Sequence, residues 1–384
     1  MLNQGTATVP TWKVLIAGFA AFAMFFGSGN LVFPLKMGSD TQSNWIFSAV
    51  GLSITGVVVP LLGLVALTFL KGSQDAFFRW FGKKGAWILP FLILLLIGPF
   101  GVVPRCITVG YGAWQSFAPS TPLWIFALCC VGVILLATIS DRKIVDIIGK
   151  YFTPFKLGAL ALVIGGSLYF ATSSSEVLIA TSQTTPLNAF KAGFFEGYNT
   201  MDLMAAIFFG VSLVYYFKPE NSDKIPYKST LLAMSLGMFL LMLVYIALVY
   251  LGAAYSSQVS HLPGPQILPN IARIALGEAS DYLISFTLVV SCLTTAVALT
   301  SVSVDFLKSK IKPLNGRRTL TLLLCLAVTY VIALTDFTGI MAFMAPILEF
   351  FYPVIIVLAI VNIVVSLVKN YKQKLKDESQ KEAA

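Results

Sequence analysis

Apolar runs of about twenty residues or more follow one another along most of this chain, and no other feature limits its fold as strongly. In hydrocarbon every backbone N–H and C=O needs a partner, so a crossing segment is either a helix or a strand of a closed barrel. The runs are too long and continuous for barrel strands of about ten alternating residues, so the expected fold is all-α and integral to a membrane. Composition agrees: 57% of residues are hydrophobic and 11% charged, with mean hydropathy +0.85, against about a quarter charged in an ordinary globular domain.

Two of the runs carry polar residues where a continuous lipid-facing helix would not tolerate them. The stretch 193–217, GFFEGYNTMDLMAAIFFGVSLVYYF, holds Gly197, Tyr198, Asn199, Thr200 and Asp202 near its middle. An Asp at membrane depth costs about 2.5 to 3.5 kcal/mol and survives when it faces a protein interior or a watery cavity. The stretch 14–35 has the same defect at Gly27, Ser28, Gly29 and Asn30, followed by Pro34. Both helices are expected to unwind at these points.

The expected spans are 13–35, 45–70, 86–117, 123–139, 151–171, 190–217, 230–254, 282–307, 319–335 and 337–368. Basic residues follow the even-numbered spans: Lys71, Arg79, Lys83 and Lys84; Arg142, Lys143 and Lys150; Lys218, Lys224 and Lys228; Lys308, Lys310, Lys312, Arg317 and Arg318; and five lysines from Lys369 onward. The opposite side carries only Lys36, Lys191, Arg273 and the single histidine, His261. By the positive-inside rule both termini are cytoplasmic, and the net charge of +9 reports topology rather than nucleic-acid binding. The basic tail, 369–384, reads as a solvated cytoplasmic end within reach of anionic lipid.

With this alternation, span 1 starts inside and span 6, five spans later, starts outside. That is the mark of an inverted repeat, expected at about 13–171 and 190–368 within one transmembrane domain covering 1–384. Secondary transporters build a midplane site from such a pair of discontinuous helices. Half-helix N-termini offer N–H groups and a positive end to an anion, and half-helix C-termini offer carbonyls to a cation, which suits a zwitterion.

The segments GFAAFAMFFGSGNLVFP, GPFGVVPR, GKYFTPFKLGAL, GFFEGYNTMD with a later FFG, and SCLTTAVALT occur in this order. Together they resemble the branched-chain amino acid transport system II carriers, the leucine/isoleucine/valine:cation symporter family of the amino acid-polyamine-organocation superfamily. The usual member runs on for about two further helices, and the stretch CITVGYGAWQSFAP after Arg105 departs from the family's acidic S-F-E pattern. The resemblance implies a LeuT-type 5+5 fold of about ten helices, with helices 1 and 6 discontinuous. It implies import of leucine, isoleucine or valine across a bacterial inner membrane with Na+ as coupling ion, H+ being the alternative, and no cofactor. Another neutral or aromatic amino acid is the runner-up substrate. In that fold hydroxyls of span 8 and carbonyls of the unwound span 1 hold one sodium ion, and the carry-over falls on Ser291, Thr294, Thr295 and the backbone of Ala23 and Phe26.

For the substrate, N–H groups at Gly27, Ser28, Gly29 and Asn30 are expected to receive the carboxylate. Carbonyls around Phe195, Gly197 and Tyr198 take the ammonium, and the Tyr198 ring walls the side chain, with Asn199, Thr200 and Asp202 completing the break. Plainer readings stand beside these. Gly27 and Gly29 read also as a helix-packing contact, Asp202 or Thr200 as an N-cap, and Tyr198 as an interface aromatic. The span 8 hydroxyls read also as bonds back to their own helix. Arg105 either snorkels outward or pairs with Glu196 or another acid of the outer vestibule. Pro154, Pro346 and Pro353 read as kinks.

The five cysteines lie inside apolar runs without C-x-x-C spacing, which supports neither a disulfide framework nor a zinc site. A single histidine, with no H-E-x-x-H and no paired intramembrane acids, argues against an embedded enzyme. No G-x-x-x-x-G-K-[ST] motif is present, so energy is expected from an ion gradient.

Overall fold

The computed structural model describes residues 9–139, 143–173, 179–218 and 225–382. Arg142 and Lys224, counted in the charge pattern above, lie outside them. Among the described residues all regular structure is helical. Six helical segments are long and apolar enough to cross a membrane, a bent pair makes a seventh, and three shorter apolar helices join them.

In chain order, α1 (Thr11–Phe25) and α2 (Ser28–Thr41) form the first broken segment. A short turn with Gln42 at φ 47° leads to α3 (Trp45–Ser53), a π-helical turn at Ile54–Val58, and α4 (Val59–Phe69). The short α5 (Gln74–Phe77) is capped by the Ser73 hydroxyl, which accepts the Ala76 N–H at 3.2 Å. Next come α6 (Gly82–Ile97), α7 (Val102–Trp114), α8 (Leu123–Ile139) and α9 (Lys143–Ser173). The second half holds α10 (Pro186–Asn199), α11 (Asp202–Phe217), α12 (Tyr227–Ala254), α13 (Ser256–Val259), α14 (Gly264–Leu276), α15 (Glu278–Lys310), α16 (Arg318–Ala333) and α17 (Asp336–Glu382).

Three findings correct or extend the sequence expectation. Span 3 is two helices, parted at Gly98-Pro99-Phe100-Gly101, where Pro99 denies a backbone donor and the two glycines meet Ser303 and the Leu96 carbonyl too closely for a side chain. The loop between spans 7 and 8 contains α14, an amphipathic helix packed on α2, α7, α9 and α15 at the end of α15 opposite its basic terminus. The basic tail takes a form the sequence reading left open, since α17 continues as helix to Glu382.

The bundle closes on itself through glycine. A Cβ on Gly38 would strike the Val249 carbonyl and one on Gly252 the Leu35 carbonyl, so α2 and α12 meet backbone to backbone. Gly193 of α10 lies against the Ser48 carbonyl of α3 in the same way. Small residues at such crossings replace the hydrophobic driving force that lipid cannot supply. Leu136, Val331 and Phe350 stand on the outside, where lipid tails are their solvent. Among the described residues two large apolar cores result, one around α6, α7, α15 and α17, the other around α1, α2, α9 and α12, with a small third cluster of Val14, Ala17, Phe217 and Ala233.

Candidate functional site

The first break is shorter than the sequence suggested. α1 ends at Phe25, Phe26 and Gly27 form the link, and α2 begins at Ser28. Gly27 is extended, with φ −110° and ψ −168°, and caps the new helix without a side chain. Ser28, Gly29 and Asn30, expected to be unwound, are therefore the first turn of α2. Their N–H groups have no intrahelical partner in any case, so two residues of link expose a helix N-terminus inside the protein.

The second break is at Thr200 and Met201, where the axis bends by 45°. Met201 adopts a left-handed conformation, φ 61° and ψ 18°. Thr200 ties the link down: its hydroxyl donates to the Gly197 carbonyl at 2.9 Å and accepts the Asp202 N–H at 3.4 Å. Gly197 is helical and serves packing, since a Cβ there would strike the Thr55 hydroxyl. Asp202 is not an N-cap; it opens α11, and its side chain turns to other helices.

Those partners join both breaks to α12. The Asn30 Nδ2 donates to Asp202 Oδ2 at 2.8 Å and to the Tyr245 hydroxyl at 2.7 Å, and the Tyr245 hydroxyl donates to Asp202 Oδ2 at 2.8 Å. All three residues are buried. Hydrogen bonds to a charged group contribute about 1.5–3 kcal/mol each, enough to fix how the half-helices face one another.

Arg105 neither snorkels nor pairs with Glu196. It is 1% exposed and donates to the carbonyls of Asn199 and Thr200, the C-terminal end of α10. Its guanidinium lies 5.2 Å from the centre of the Phe33 ring, and Nε has no partner. Glu196 instead accepts the Asn199 Nδ2 at 3.1 Å. The carbonyl end expected to take a substrate ammonium thus already holds a cation of the protein. Gly197 O and Tyr198 O are also in use, by the Thr200 hydroxyl and the Met201 N–H. Phe195 is half exposed. The Tyr198 ring stacks on Tyr352 at 4.5 Å, so the face expected to wall a substrate is covered by α17.

Thr295 of α15 and Lys156 of α9 also meet the first break. Thr295 Cγ2 would stand 3.9 Å from a Cβ on Gly27. The Thr294 hydroxyl bonds back to the Ser291 carbonyl at 2.9 Å, and the Ser291 hydroxyl is buried without a partner. Ala23 is in the last turn of α1, where carbonyls lack helical partners. The Phe26 carbonyl accepts the Lys156 ammonium at 3.2 Å. Beside these groups a narrow apolar crevice between α7, α8 and α15 is lined by Cys106, Ile107, Gly110, Phe126, Val289 and Leu293, among others, and the Cys106 sulfur is 3.3 Å from the Ser28 hydroxyl.

Sequence reasoning missed Tyr245 and Lys156 and misplaced Arg105. For Arg105 a signal existed: read as a break, Gly98-Pro99-Phe100-Gly101 starts α7 at Val102 and brings Arg105 to its first turn, level with the other breaks. Lys156 carried a signal that went unused, a lysine inside an apolar run two residues after Pro154, whereas Tyr245 lies in an uninterrupted apolar helix and carries no local mark.

A family model described as "Branched-chain amino acid transport protein" matches residues 11–378. The branched-chain amino acid permease BraB of Bacillus subtilis is 29% identical over 95% of this chain and 83% of its own length. The branched-chain amino acid transport system 2 carrier protein of Pseudomonas aeruginosa is 30% identical over 90% of this chain and 79% of its own. Among solved structures, Mhp1, a nucleobase-cation-symport-1 family transporter in a closed conformation with bromovinylhydantoin bound, is similar at TM-score 0.63 and 14% identity, over 89% of this chain and 77% of that one. At that identity the likeness concerns the fold alone, which is of the LeuT type.

Proposed function

The chain belongs to the branched-chain amino acid transport protein family, and from that premise we propose that it imports leucine, isoleucine or valine by cation-coupled symport with alternating access. The observation that carries this reading is the convergence at Gly29. The open N-terminus of α2 and the Arg105 guanidinium meet there, since a Cβ on Gly29 would lie 2.7 Å from Arg105 Nη2. Both favour an anion, so the substrate carboxylate belongs at this point. Asp202, the buried carboxylate at the second break, is the counterpart for the ammonium. The apolar wall beside Ser28 and Cys106 is closed in this conformation and offers a charged side chain no partner, a desolvation of several kcal/mol.

Radiolabelled leucine uptake into proteoliposomes, competed by each amino acid, tests the reading. Isoleucine and valine are expected to compete well, and lysine, glutamate and leucinamide poorly. Competition by leucinamide equal to that by leucine would exclude a carboxylate site. Preferential competition by phenylalanine or another neutral acid would favour the runner-up substrate.

The inverted repeats, at 13–171 and 190–368, provide the two orientations of one site in this scheme, and both termini face the cytoplasm of a bacterial cell. Single cysteines in the loop 308–318, in a background without the five native ones, are expected to resist a membrane-impermeant maleimide in intact cells. Ready labelling there, with protection around His261, would invert the topology.

A further inference from the structure

No motif marks Tyr352, yet the structure brings its side chain from α17 to the second break. The residue is fully buried, its ring stacks on Tyr198 at 4.5 Å, and its hydroxyl has no hydrogen-bond partner. Beside that hydroxyl lie the Thr200 side chain and the Leu203 backbone, with Asp202 and Arg105 within electrostatic reach. Leu203 is in the first turn of α11, where N–H groups have no intrahelical partner, and Arg105 Nε is buried without a partner as well. Donors from α7, α11 and α17 thus meet near the second break with no acceptor among them. An unpaired buried donor weakens the fold, and a phenyl ring in place of the phenol would avoid that cost. A hydroxyl kept on those terms calls for an acceptor that arrives from outside.

Resting on the transport reading above, we propose that the Tyr352 hydroxyl donates a hydrogen bond to the substrate carboxylate and is a specificity-determining ligand supplied by α17. The anion then draws on the N-termini of both α2 and α11, on Arg105 and on Tyr352, all of them donors. Asp202 stands in the same region without opposing it. Its bonds from Asn30 and Tyr245 both fall on Oδ2, and the ammonium that a zwitterion carries next to its carboxylate is its counterion. The bond also gives the substrate a hold on α17. Together with the Tyr198 stack it ties that helix to the end of α10, so carboxylate recognition and the seating of α17 become one event.

Tyr352→Phe removes the hydroxyl and keeps the ring, and the full-length protein, purified and reconstituted, permits two independent measurements on it. Without substrate, the Tm of the variant is expected to equal or exceed that of the wild type, while the rise in Tm given by saturating leucine shrinks. In proteoliposomes the KM for leucine is expected to rise by about tenfold to a hundredfold, the factor for one hydrogen bond to a charged group, with kcat changed far less. The signature lies in selectivity. Leucinamide lacks the carboxylate, so its inhibition constant is expected to be the same in both proteins, and leucine loses its advantage over it by the factor seen in KM. An unchanged ratio of leucine to leucinamide would overturn the proposal, as would a fall in the substrate-free Tm with KM unmoved, which would make Tyr352 a packing residue. Equal weakening of leucine and leucinamide, with 4-methylpentanoate, the analogue without an ammonium, unaffected, would overturn it too by moving the hydroxyl to the ammonium. A wrong substrate shows already in the wild type, as failed leucine competition, and the same ratio is then read with the best competitor and its amide.

Discussion

Gly29→Ala is expected to reduce uptake by about tenfold to a hundredfold in a protein that still reaches the membrane, the effect of about 1–3 kcal/mol of overpacking concentrated on one site. The new methyl would stand 2.7 Å from Arg105 Nη2 and 3.0 Å from Phe33 Cε2. The guanidinium cannot yield without leaving the Asn199 and Thr200 carbonyls, and the Phe33 ring is stacked against it. The substitution also fills the point where a carboxylate would approach the α2 N-terminus. Gly27→Ala is the informative contrast. Its nearest neighbours would be 3.9 Å away, and φ −110° is open to any residue, so the loss there is expected to be much smaller. Uptake normalised to the amount of protein in the membrane checks the pair. Equal losses at both positions would mean that the link, not the approach to Arg105, is what matters.

Arg105→Met is expected to lower kcat/KM for uptake by about a hundredfold or more, in line with the roughly 3–5 kcal/mol lost when one partner of a buried charged set is removed. Two carbonyls at the end of α10 would lose their donor, and Asp202 would lose the positive charge within its electrostatic reach. Lysine is not expected to restore function, because a single ammonium cannot present the planar fork that spans two successive carbonyls while lying along the Phe33 ring. If Arg105→Lys transported as well as the wild type, the guanidinium geometry would be irrelevant and only charge would count. Measuring KM and kcat separately locates the damage: a higher KM at unchanged kcat indicates lost substrate binding, and a lower kcat indicates that the half-helices no longer rearrange.

Both predictions rest on a division of labour between the breaks. The α2 N-terminus is held open by Gly27, which needs no side chain there, while the α10 C-terminus is closed off by Arg105. Side chains of the protein hold the carbonyls that the sequence reading assigned to cations near each break, Arg105 at the end of α10 and Lys156 at Phe26.

What the sequence determined by itself was whatever is written locally. Run length and the absence of alternation establish membrane helices, and Gly, Asn and Asp inside two apolar runs mark where spans 1 and 6 part, to within a few residues. These signals are local because a helix in lipid has to satisfy its own backbone, so a fault in the pattern is a fault in the helix. Only the tertiary structure decided what fills the breaks. Tyr245 reaches Asn30 and Asp202 from an apolar helix, Lys156 reaches Phe26 across 130 residues, and Arg105 reaches Asn199 across 94. Every face of such a helix is apolar enough for lipid, so periodicity does not show which face turns inward. That choice belongs to the neighbouring helices, whose glycines set how closely the backbones approach and therefore which side chains meet.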